Sequence, residues 1–81
     1  MHMLKNNGFE IIVASPPEYD RLVAEIFFAG KFFALVSQER GCDSYDIETP
    51  GINLDEGQIV RKVDLEEFLK TIKEACQRLK N

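Results

Sequence analysis

The residues of this chain that could do chemistry are few and scattered. Carboxylates lead: Asp43, Asp46, Glu48, Asp55 and Glu56 fall between Gly41 and Val60, a stretch that contains no lysine or arginine. A calcium loop needs acids at alternating positions, a mid-loop glycine and a closing glutamate, and this run does not match that pattern. A glycosidase pair needs two carboxylates facing across a cleft, whereas these lie along one strand and the loop after it. The run is left with two main readings, a solvated acidic face and an acidic surface offered to a partner.

The other reactive residue types lack the neighbours they need. His2 is the only histidine, and it sits in Met1-His2-Met3, which reads as a cloning remnant. The usual general base and the commonest metal ligand are therefore missing. Ser15, Ser37 and Ser44 have no histidine to form a triad with. Cys42 stands beside acids that disfavour its thiolate. Cys76 falls on the apolar stripe of a helix and reads as a small core hydrophobe. The two cysteines are far apart, and free thiols of an intracellular protein are preferred to a disulfide. Gly30, Gly41, Gly51 and Gly57 stand alone, each at a plausible turn, so no phosphate cradle is present. Arg61-Lys62 reads as solvated charge flanking a helix start. No enzyme activity, no cofactor and no metal site is expected.

The elements that must carry these residues form one small domain. The chain has 81 residues and a net charge of −4, with a pI near 4.9. One core is all such a length supports. Its acidity argues against non-specific binding to nucleic acid or to an anionic membrane. No secretion signal is visible, and the longest apolar stretch, Leu22 to Val36, is broken by Glu25, Gly30 and Lys31. A cytoplasmic location is expected.

Residues 1–7 are expected to be disordered or tag-derived. Phe9 to Ala14 reads as a strand ended by Pro16-Pro17. Glu18-Tyr19-Asp20 follows as a polar turn. Leu22 to Phe28 and Phe32 to Gln38 form a hairpin through Ala29-Gly30-Lys31, where glycine supplies a positive φ. A Gly30-Lys31 loop pairs Phe28 with Phe33, Ile26 with Leu35 and Ala24 with Ser37 on one apolar face. A longer loop exchanges the faces of one strand. Tyr45 to Thr49 alternates, with Tyr45 and Ile47 inward and Asp46 and Glu48 outward. Ile52 to Gln58 reads as an acidic loop, and Ile59-Val60 as a possible short strand.

The last element, residues 64–80, is a helix. Asp64 with Glu67 makes a capping-box-like start, and Val63 with Phe68 a hydrophobic staple. Leu65, Phe68, Leu69, Ile72, Ala75, Cys76 and Leu79 recur in one apolar stripe. The fold class is α+β: an antiparallel sheet of three to five strands with one C-terminal amphipathic helix on one face. The opposite face is left uncovered. Phe27, Phe28, Phe32 and Phe33 cannot all face one core, so an aromatic such as Phe27 either lies on that open face or is covered by the N-terminal segment.

Two segments, FEIIVASPPEYDRLVAEIFFAGKFFALVSQE (Phe9 to Glu39) and NLDEGQIVRKVDLEEF (Asn53 to Phe68), cover over half the chain. In their order and content the chain resembles small immunity proteins encoded beside bacterial polymorphic toxins, including those of contact-dependent growth inhibition systems. The resemblance implies inhibition of a cognate toxin, often a nuclease, inside the producing cell. It carries no individual contact residue. On charge alone, a basic nuclease would meet Asp43, Asp46, Glu48, Asp55 and Glu56, with Tyr45 or Phe27 as an apolar anchor. The alternative is a regulatory or scaffolding domain that forms a homodimer through its open sheet face.

Overall fold

The computed structural model describes residues 2–4, 8–41, 44–50 and 56–80. The β-branched and aromatic runs become strands β1 (His2–Leu4), β2 (Phe9–Ala14), β3 (Val23–Phe28), β4 (Lys31–Ser37) and β5 (Asp46–Glu48). A 3-10 turn at Glu56–Gln58 leads to helix α1 (Leu65–Lys80). The strands pair antiparallel in chain order. Such a meander needs only short connections. The α+β class and the single C-terminal helix are as the sequence predicts. No element was expected before Phe9, yet His2–Leu4 runs along β2 as an edge strand with Met3 opposite Ile11. Three residues are too few for a periodicity to show.

Helix α1 covers the sheet face formed by Phe9 and Ile11 of β2, Ala24 and Ile26 of β3, and Val36 of β4. Ala75 and Leu79 close that core from the helix side. The start of the helix is capped as expected, because the Asp64 carboxylate accepts the Glu67 N–H at 3.0 Å. Val63 and Phe68 both pack against the core. The buried stripe, however, is rolled relative to the expected one. Leu65 and Leu69 are 67% and 50% exposed, while Thr71 is buried. The roll seats the Phe68 ring 5.1 Å from Phe33 and 6.3 Å from Phe9. Thr71 accepts burial because its hydroxyl donates to the Glu67 carbonyl at 2.9 Å, which satisfies it within the helix.

The hairpin departs from the expected register. Its two-residue turn is Ala29-Gly30, with φ of 52° and 80°, and Phe28 pairs with Lys31. Positive φ at both central residues is the type I′ geometry that matches strand twist. Phe27 then pairs with Phe32 but Ile26 pairs with Ala34, so Phe33 is an extra residue in a β-bulge. The bulge exchanges the faces of β4 beyond it. Ala34 and Val36, rather than Leu35 and Ser37, lie opposite Ile26 and Ala24 on the helix side. Leu35 and Ser37 are turned to the helix-free face.

That second face is not bare. Val23, Leu35 and Ser37 are buried although no helix lies over them. The segment between β2 and β3 folds back across this end of the sheet. The Glu39 carboxylate holds it there by accepting the backbone N–H groups of Asp20 and Arg21, each at 2.9 Å. Gln38 adds a bond from its side-chain amide to the Leu22 carbonyl at 3.1 Å. The expectation of an uncovered face is thus corrected to a partly covered one.

Candidate functional site

What the segment leaves open is a groove of about 490 Å³ on the helix-free face. Its floor comes from β4, through Phe32 and Leu35, with Glu25 of β3 beside them. Pro16, Glu18 and Glu25 border it on one side and Glu48, Thr49 and Pro50 on the other, with Tyr19 bonded across to Glu48. Sheet register explains the arrangement. Glu25 lies opposite Leu35, and Leu35 opposite Glu48, so the three occupy one row across β3, β4 and β5. Their side chains share a face, and the two carboxylates flank the leucine at two strand spacings, roughly 10 Å between backbones. Phe32 stands further along β4 on the same face, its ring edge-to-face with Phe27 at 5.8 Å and 74°.

Among the described residues the charge in the groove is of one sign: Glu18, Glu25 and Glu48 line it, and no described lysine or arginine does. Among the described residues the Glu18 and Glu25 side chains make no hydrogen bond or ion pair. Glu48 is held in place: Tyr19 donates its phenol hydrogen to Oε1 at 2.8 Å, and Ser37 donates to Oε2 at 3.4 Å. The bond to Glu48 pushes the Tyr19 phenol up to about 12, with partial burial and the surrounding carboxylates adding to it. A phenol held protonated in this way is a hydrogen-bond donor at neutral pH rather than a base. Among the described residues no group of three or more His, Cys, Asp or Glu side chains converges closely enough to hold a metal ion.

The expected contact residues separate. Glu48 belongs to the groove. Asp46 shares its face, opposite Ser37, but both its oxygens accept hydrogen bonds from Arg40 at 2.9 Å. Its charge is already paired. Tyr45 packs against the core, as the alternation predicts, and is no anchor for a partner on the groove face, whereas Ile47, expected inward beside it, is 49% exposed. Phe27 lies on the helix-free face against Phe32. Glu56 opens the 3-10 turn. Asp43, Asp55 and Cys42 lie outside the described residues. Cys76 is a free thiol packed against the core, its pKa raised chiefly by burial.

Sequence reading missed Glu18, Tyr19, Glu25, Phe32 and Leu35 as groove residues. The bulge at Phe33 decides that Leu35 faces the groove, and a bulge leaves no pattern in a strand this short. Glu25 carries a signal that was available, a charge inside an otherwise apolar strand, which marks the wetter face.

Comparison with protein-family models, with curated proteins and with solved structures finds no match to this chain. Among the described residues no helix is long and apolar enough to cross a membrane.

Proposed function

We propose that this chain is an immunity protein, which binds a cognate protein toxin in the cytoplasm and neutralises it without catalysing a reaction. The toxin is a basic nuclease. The observation that supports this most directly is the groove: a concave site with an apolar, partly aromatic floor, lined among the described residues by acids and by no basic residue. A nuclease grips phosphates with lysine and arginine, so its working surface is the electrostatic complement of such a site. Opposite charges also speed encounter and reject wrong partners. The apolar floor supplies a place where a partner side chain can lose water.

Self-association through the same face is the weaker reading. A two-fold contact there sets Glu18, Glu25 and Glu48 of one copy against the same residues of the other. Like charges brought together cost free energy, and no described basic residue of the groove offsets them.

The test is protection. Each basic protein retained by the immobilised chain from a lysate of its source cell, washed at low and then moderate salt, is expressed alone and together with the chain. The expected result is one partner that stops growth alone and is tolerated when the chain is co-expressed. Retained proteins that are harmless alone, or whose toxicity the chain does not relieve, would exclude the immunity reading.

A further inference from the structure

We propose that the groove seats an arginine side chain of the partner, its guanidinium lying over Phe32 and Leu35 and bridging the carboxylates of Glu25 and Glu48. The proposal rests on the helix-free face being partner-facing and adds what that partner must bring to it.

The geometry is that of the row Glu25–Leu35–Glu48. Two carboxylates stand on either side of an apolar residue, at a separation that two extended side chains close around one planar cation. A guanidinium carries donors on both edges, so it can bond to both carboxylates at once. An ammonium is a compact point charge, more strongly hydrated, and cannot reach both walls while resting on an apolar floor. The floor favours the same choice. Phe32 lines the groove, and a guanidinium stacks on an aromatic face with loss of little hydration.

One wall is organised beforehand. Tyr19 and Ser37 hold the Glu48 carboxylate by one bond to each oxygen, and each oxygen keeps a lone pair for a further donor. Tyr19 is itself on the segment pinned by Glu39. The acceptor is therefore aimed without ordering cost at the moment of binding. Asp46 is the internal control: an acid on the same strand and face, already bonded in bidentate fashion to Arg40. The chain uses the arginine–carboxylate fork there itself.

The experiment titrates N-acetyl-arginine-methylamide into the isotopically labelled full chain at low ionic strength, followed by amide and aromatic NMR. The citrulline analogue, neutral and nearly isosteric, and the lysine analogue are titrated in parallel. Expected are saturable shifts at Glu25, Phe32, Leu35 and Glu48, with citrulline inducing none and lysine binding at least about threefold more weakly. E25Q and E48Q, both conservative at partly or fully exposed sites, each weaken the arginine analogue severalfold while the rest of the spectrum stays in place. The proposal is overturned by the absence of saturation with arginine, by equal response to citrulline or lysine, or by shifts spread evenly over surface acids such as Asp46 and Glu66. Failure here leaves toxin protection untouched. Conversely, arginine binding without a toxin would keep the seat and remove the immunity reading.

Discussion

At the scale of single residues, Glu48 and Asp46 show how much neighbours decide. The alternation of Tyr45-Asp46-Ile47-Glu48 places both acids on one face, and both are there. Arg40 then pairs with one, and Tyr19 with Ser37 orients the other. Arg40 and Tyr19 are not visible from strand periodicity, because each comes from a connecting segment. The Tyr19–Glu48 bond can be read out directly. With Tyr45 replaced by phenylalanine, tyrosinate absorbance reports Tyr19 alone, and it should titrate near 12 rather than at the ordinary 10.0. E48Q should bring it back toward the ordinary value. The stability consequence follows from the direction of the shift. A phenol that holds its proton more tightly when folded stabilises the fold fully below pH 10 and loses that contribution as pH rises toward 12. A fold that becomes more stable across that window in wild type than in E48Q would contradict the bond.

At the scale of elements, the helix and the hairpin were legible in kind but not in phase. The cap at Asp64, the staple and the extent of α1 follow from local rules, which act over three or four residues and so survive folding unchanged. The phase of the stripe does not, because it depends on which aromatic ring the sheet offers to Phe68. Substitution separates the two phases. L79A removes a buried side chain and should cost about 2–4 kcal/mol, whereas L69A at a half-exposed position should stay within about 0.5 kcal/mol; urea titration measures both. Equal costs would restore the stripe expected from sequence. In the hairpin, Gly30 announces the turn, but a two-residue loop can be drawn either side of it. The choice falls on Ala29-Gly30, at the cost of a non-glycine residue at φ of 52°. A29N supplies the residue type that tolerates this region and should raise stability by about 0.5–1 kcal/mol, seen as a few degrees in Tm. No gain, or a loss, would argue that the turn lies elsewhere.

At the scale of the whole molecule, a net charge of −4 is too small to name a surface by itself. The acidic stretch from Gly41 to Val60 draws the eye in the sequence, yet Glu48 is the one acid of its described residues that lines the groove, which collects Glu18 and Glu25 from distant segments. Folding, not composition, makes the one-signed site. This gives charge reversal a position dependence that net charge cannot produce. E25K and E48K each change the molecule's charge by the same amount as D46K. If partners were steered only by overall acidity, all three would slow association alike, and moderate salt would erase the difference between them. If the groove is the contact, E25K and E48K remove an acceptor from the seat and place a like charge there. Each should then weaken partner binding by about tenfold or more, mostly through faster dissociation. D46K breaks only the exposed pair with Arg40 and should change affinity less than about threefold. Surface plasmon resonance at two salt concentrations separates the outcomes, since loss through dissociation persists in salt while loss through steering does not. Three equal effects that vanish in salt would mean that the partner feels the field of the protein and not its groove.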